Sequence, residues 1–141
     1  RPTLLGVNRL TINSNDETGA SLTRDGVWVA FLSGNGIEVM TSTGINRRIV
    51  VPTSEQFSDF SPAISPDGAR VAFVSNRGGE FDLWIYTSAT GELRQLTRGA
   101  KATGGLSWNA DGKQIVFNTT ATASENSGIA VAGAESGSFR I

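Results

Sequence analysis

An all-β, antiparallel β-propeller-type array of three four-stranded blades, half of a six-bladed propeller, is the fold class that this 141-residue sequence predicts. Three observations carry that expectation. A turn signal recurs as Asp25-Gly26, Asp67-Gly68 and Asp111-Gly112, with spacings of 42 and 44 residues (67 − 25 and 111 − 67). The register then holds without a gap: Val29, Val71 and Ile115 correspond, then Ala30, Ala72 and Val116, then Phe31, Phe73 and Phe117. Further on, the runs Gly36–Met40, Asp82–Tyr86 and Gly128–Ala132 match, each followed by a turn glycine (Gly44, Gly91, Gly137) and a short segment carrying Arg47, Arg94 or Arg140. A period of about 40–45 residues with four strands per unit is the signature of propeller blades.

Each element has its own reason. In the second unit Ala63-Ile64-Ser65 is short and extended, and Pro66 fixes its own φ while steering Ser65 away from helix. Asp67-Gly68 turns the chain, because Asp bonds its own backbone and Gly tolerates positive φ. Arg70–Val74 is β-branched and aromatic, as a buried pleated strand requires. By the same reading the first unit runs Gly19–Thr23, Val27–Ser33, Gly36–Thr41 and Asn46–Val51. The second is Ser61–Ser65, Arg70–Ser75, Asp82–Thr87 and Glu92–Thr97, and the third is Gly105–Asn109, Gln114–Thr119, Gly128–Gly133 and Ser138–Ile141. Blades therefore span 19–51, 61–97 and 105–141 within one domain covering 1–141, and 1–11 reads as an extra N-terminal strand similar to Gly91–Thr97. No segment has helical periodicity. A β-trefoil, which also uses three four-stranded units, is the rival fold.

Composition narrows the function classes. Twelve basic and 13 acidic side chains leave a net charge of −1, so no electrostatic footprint for nucleic acid or an anionic membrane is present. The apolar runs are too short for a membrane span. Neither Cys nor His occurs, which removes disulfides, thiolate chemistry and imidazole catalysis from the chain itself. Its serines have no histidine to activate them. No cofactor is called for.

The stretch Ser61–Arg77, with its Ser-Pro-Asp-Gly turn, followed by Asp82-Leu-Trp-Ile-Tyr86, resembles the WD40-like (PD40-type) repeats of TolB-like β-propellers. Similar repeats occur in the propeller domains of prolyl-oligopeptidase-like hydrolases. Units one and three depart from the pattern: Thr23-Arg24 and Asn109-Ala110 replace Ser-Pro, and Gly36 and Gly128 stand where Asp82 does. The resemblance implies a non-enzymatic scaffold that binds a protein partner, in a periplasmic or extracellular setting. The alternatives are the propeller part of a hydrolase whose catalytic domain lies elsewhere, and a carbohydrate or small-ligand module.

Propeller geometry sorts the candidate residues by face. Connections entering the first strand of a blade share one side with the turns between strands two and three, and the Asp-Gly turns lie on the other. This places Asp16, Glu17, Phe57, Asp59, Phe60, Asn76, Arg77, Glu80 and Lys101 on one rim. Aromatic residues beside Arg are the composition of protein-binding hot spots. The competing expectation is that Phe57 and Phe60 plug the gap between blades and that Arg77 pairs with Asp82. Asp25, Asp67 and Asp111 are expected to cap their own turns rather than to hold a metal, and Trp28, Trp84 and Trp108 to pack in the core. Asn13, Asn15, Asp16 and Glu17 offer oxygen ligands at close spacing but lack the glycine pivot of a calcium loop. Three blades cannot close a ring, since closed propellers use at least about four. Either more chain supplies the rest, or a homodimer completes a six-bladed ring, with the strand at Gly6–Thr11 exchanged at each seam.

Overall fold

The computed structural model describes residues 16–124 and 126–141. The expected strand at Leu4–Thr11, its exchange between copies, and Asn13 and Asn15 lie outside those residues. Among the described residues there are twelve strands: β1 (Thr18–Leu22), β2 (Trp28–Ser33), β3 (Gly36–Thr41) and β4 (Arg48–Pro52); β5 (Asp59–Ile64), β6 (Arg70–Ser75), β7 (Asp82–Thr87) and β8 (Leu93–Gln95); β9 (Ala102–Trp108), β10 (Gln114–Thr119), β11 (Gly128–Gly133) and β12 (Phe139–Arg140). They form three separate four-stranded sheets in which each strand pairs antiparallel with the next in sequence. Stacked meanders of this kind are partial propeller blades, and the trefoil is excluded. No helix occurs among the described residues.

The Asp-Gly turns form as the side-chain chemistry demands. Asp67 Oδ1 accepts the Ser65 hydroxyl at 2.7 Å and the Ala69 N–H at 3.0 Å, and Gly68 takes φ 75°. Asp25 repeats this with Thr23 (2.6 Å) and Val27 (2.9 Å), and Asp111 accepts the Lys113 N–H at 2.9 Å. Hydrogen bonds from Thr23 and Ser65 hold the Asp25 and Asp67 carboxyls below the ordinary carboxylate range, Ser65 and Thr23 being the largest cause in each case.

Alternation along the strands decides what lies between the sheets. On β6 the side chains of Val71 and Phe73 point toward the first sheet and join Ala30, Ile37, Val39, Val51 and Ile64 in one buried cluster. Ala72 and Val74, from the opposite face, join Leu83, Ile85, Ile115, Phe117, Ala130 and Ala132 in a second cluster against the third sheet. Phe31, Phe73 and Phe117 are 3 %, 0 % and 0 % exposed, so the gapless repeat alignment is a packing equivalence. Trp28, Trp84 and Trp108 are half-buried against these clusters.

Each innermost strand carries an irregularity at the same repeat position. Pairing slips between Thr18 and Ser21 in β1, between Phe60 and Ala63 in β5, and opposite Val116–Thr119 in β9. Gly19, Ser61 and Gly105 occupy that position with φ of 65°, 52° and 64°. The bulges bend the inner strands so that they lie side by side. Ser21 Oγ accepts the Ile64 N–H at 2.9 Å, and the Trp108 Nε1–H donates to the Ala63 carbonyl at 2.8 Å.

Candidate functional site

The β6–β7 turn, Asn76 to Gly79, delivers Arg77 to the rim between the first and second sheets, and the Gly79 N–H closes the turn on the Asn76 carbonyl at 2.9 Å. Asn76 Oδ1 accepts the Ser58 N–H at 2.7 Å, which ties the β4–β5 connection down to this turn. Arg77 then fills the seam. Its Nη2 meets Asp59 Oδ2 at 2.7 Å, its Nε–H donates to Ser75 Oγ at 3.0 Å, and its guanidinium carbon lies 4.4, 5.4 and 5.5 Å from the ring centres of Phe57, Phe73 and Trp84. The expected Arg77–Asp82 pair does not form. Asp82 instead accepts the Thr97 hydroxyl and the Ala100 N–H, both at 2.8 Å, and the Gly99 N–H at 3.2 Å, so it is saturated within its own blade edge.

The nine rim residues named from the sequence fall into three groups. Phe57, Asp59, Asn76 and Arg77 converge between the first and second sheets. Phe60 lies at the seam with the third sheet, its ring 5.4 Å from Phe81, and exposed Glu80 and Lys101 line a groove of about 290 Å³ with Phe81 nearby. Asp16 is exposed, while Glu17 meets Arg47 at 3.0 Å, which in turn pairs with Glu38 at 2.8 Å. Arg47 stacks 5.0 Å from the Phe31 ring, as Arg77 does on Phe73. The Arg47 guanidinium is the leading cause that holds the buried Glu38 carboxyl below its ordinary range, with the Ser33 hydroxyl helping.

Between Arg77 and the first sheet lies a second cleft of about 290 Å³, lined by Ser33, Gly34, Gly36, Thr53, Ser54, Phe57 and Asp59 among others. Asp59 is 5 % exposed in its side chain, and its Oδ1 has no hydrogen-bond partner among the described residues. The Trp84 Nε1–H is likewise buried without an acceptor.

The opposite, Asp-Gly face holds a funnel of about 340 Å³ where the inner strands meet, lined by Ser21, Leu22, Ile64, Leu106 and Trp108 with Arg24 at its mouth. Leu22 is 58 % exposed there. None of these residues was a site candidate from the sequence, which placed Trp108 in the core. The available signal was that Arg24 stands where Pro66 and Ala110 stand in the other repeats. Among the described residues no group of three acidic, His or Cys side chains is placed to hold a metal ion.

No family model matches the chain. The Tol-Pal system protein TolB of Methylococcus capsulatus is 34 % identical to it over 89 residues, covering 57 % of this chain and 20 % of that protein. The crystal structure of TolB from Acinetobacter baumannii superposes with a TM-score of 0.68 at 22 % identity, over 86 % of this chain and 31 % of that one. The chain is an array of β-propeller blades, similar in fold and over part of its sequence to TolB. The array spans about a fifth of the curated relative's length. Its sheets also superpose on a puromycin-hydrolysing peptidase from Mycobacterium tuberculosis, with a TM-score of 0.72 at 12 % identity over 94 % of this chain and 22 % of the peptidase. That likeness shows the fold alone, since blades are shared between binding proteins and hydrolases. No helix among the described residues is long and apolar enough to cross a membrane.

Proposed function

We propose that the chain is a non-enzymatic binding scaffold that docks a protein partner on its loop-bearing rim. The observation that carries this reading is the groove around Glu80, Phe81 and Lys101. Phe81 is 37 % exposed there, between an acidic and a basic side chain, whereas Arg77 is consumed by the blade seam. An accessible aromatic ring flanked by both charges fits a mixed protein surface. The named relative is a Tol-Pal system protein, which supports a protein component of such a system as the partner, in a periplasmic or extracellular setting. Titration of the 141-residue chain against purified Tol-Pal components tests this. Binding by the native chain and its loss in Phe81→Asp and Lys101→Glu are expected. Failure of every component to bind, or equal binding by both variants, overturns it.

A homodimer forming a six-bladed ring is part of the same reading. On the second sheet Ala72 and Leu83 are fully buried against the third. Val116 and Ile129 hold the equivalent positions on the third sheet, yet are 37 % and 59 % exposed. A blade face from a second copy would cover them. Light scattering at micromolar concentration is expected to give twice the chain mass, and a monomer refutes it. The second functional reading, a hydrolase propeller, is supported by the likeness to the peptidase. A hydrolase domain in the same gene product would establish it.

A further inference from the structure

We propose that the funnel on the Asp-Gly face, where β1, β5 and β9 meet, is a binding site for a carboxylate joined to a compact apolar group. The inference begins with Arg24. It is exposed, it is the only charged side chain among the residues lining the funnel, and its guanidinium makes no hydrogen bond or ion pair among the described residues. Arg47, Arg70 and Arg77 each have an acidic partner instead. The backbone of Arg24 is nonetheless fixed. Its N–H donates to the Pro66 carbonyl at 3.0 Å, which pins the turn of the first blade to that of the second and keeps the guanidinium at the mouth. A free guanidinium presents a planar fork of donors that matches a carboxylate.

The rest of the lining complements that charge. Ser107 is exposed and its hydroxyl has no partner among the described residues, and Ser21 Oγ accepts the Ile64 N–H while its own proton remains available. Two carbonyls of the lining are already taken, that of Pro66 by Arg24 and that of Ala63 by the Trp108 indole at 2.8 Å. The polar side chains of the funnel can therefore all donate, and none is a carboxylate, so the group they suit is an anionic acceptor. The remaining wall is apolar, from Leu22, Ile64, Leu106 and Trp108, and Leu22 leaves much of its surface open to a ligand. Trp108 is held as a fixed plate by its hydrogen bond and by the Arg70 guanidinium, 4.8 Å from the ring centre. A volume of about 340 Å³ is at the low end for ligand pockets, which limits the apolar part to about one ring or a short branched chain. Asp67 and Asp111 line a neighbouring hollow, and Arg24, Pro66 and Ala110, which border both, form the partition, so neither acid lines the funnel.

This site lies on the face opposite the Phe81 groove and stands whether or not a protein docks there. Phenylacetate, its neutral isostere phenylacetamide and the cation phenethylamine are titrated into the 141-residue chain, followed by tryptophan fluorescence and by NMR of the Leu and Ile methyl groups. Saturable binding of phenylacetate with a dissociation constant on the order of 1 mM is expected for a ligand this small, with methyl shifts at Leu22, Ile64 and Leu106. The amide is expected to bind about fivefold more weakly, the upper range for an exposed ion pair, and the amine more weakly still. N-Acetylphenylalanine separates two sources of the same chemistry: binding at least as tight as that of phenylacetate assigns the site to the C-terminus of a peptide, and weaker binding assigns it to a free acid. Arg24→Gln is expected to bring phenylacetate down to the affinity of the amide. Leu22→Ser is expected to weaken acid and amide alike, about threefold, by loss of apolar contact. Both side chains are exposed, so neither variant threatens the fold. No saturable response to phenylacetate overturns the proposal. So does amide or amine binding as tight as that of the acid, native phenylacetate affinity in either variant, or methyl shifts confined to residues outside the funnel.

Discussion

Replacing Ser61 by Gly is expected to make the protein more stable. Ser61 is held at φ 52°, in the left-handed region, inside the β5 bulge. That conformation costs an L-residue about 1–2 kcal/mol and costs Gly almost nothing. Gly brings its own penalty, because its unfolded chain has more freedom to lose, about 0.5–1 kcal/mol. Ser61 Oγ makes no hydrogen bond among the described residues, so truncation carries no further cost. The balance favours Ser61→Gly by about 0.5–1 kcal/mol. For a chain of this size that corresponds to a rise in Tm of about 2–4 °C. Urea denaturation followed by circular dichroism, with midpoint and slope both fitted, measures it. Repeat symmetry supplies the reverse experiment. Gly105→Ser, at φ 64° and with the Asn118 amide 2.5 Å from the new Cβ, is expected to destabilise by more than Ser61→Gly stabilises. A Ser61→Gly protein equal to or weaker than the native one would falsify the strain argument.

Phe73→Ala is expected to cost about 3–5 kcal/mol, since it empties a fully buried position in the cluster between the first two sheets; a loss under about 1 kcal/mol in urea would contradict the packing account. Asp67→Ala, which removes two local hydrogen bonds, is expected to cost about 1 kcal/mol and to leave ligand binding unchanged in the folded protein. The carboxyls of Glu38 and Asp67 are held below their ordinary values, so each adds stability that is present above the unfolded-state range near pH 4 and is lost as pH falls through the folded-state value. Urea midpoints are therefore expected to decline below about pH 4, and Glu38→Gln to flatten that decline; an unchanged slope in the variant argues against the Arg47–Glu38 pair as its source.

What the sequence disclosed was local and periodic. The Asp-Gly turns, the strands after them and the inward set Phe31, Phe73 and Phe117 follow from side-chain chemistry within a few residues and from repetition. The partner of Arg77 was not legible, because Asp59 lies 18 positions away and reaches it only when a loop folds back over the seam. Asp82 was the nearer acid, but its own blade edge had already taken it through Thr97 and Ala100. The nine rim residues named from the sequence divide among seams, a division set by how the sheets stack. Ser61 is a different kind of miss. The alignment places it with Gly19 and Gly105, two glycines, and a residue between them in register is a hint of positive φ that composition alone cannot supply.

The hydrogen bonds that cross from one sheet to the next also have a kinetic meaning. Trp108 reaches back to Ala63, Arg94 to the Ala134 carbonyl at 3.3 Å, and Arg70 to the Gly112 carbonyl at 2.9 Å and to Glu135 at 3.0 Å. Among the described residues each sheet is thus bonded only to its immediate neighbours, as in a one-dimensional chain of coupled units. In such a chain the central member is held from both sides and opens last. In a single copy of these three sheets, amide protons of β6 and β7 are therefore placed to exchange with solvent only on global unfolding, while those of β11 and β12 escape earlier; a second copy seated on the third sheet would remove that difference.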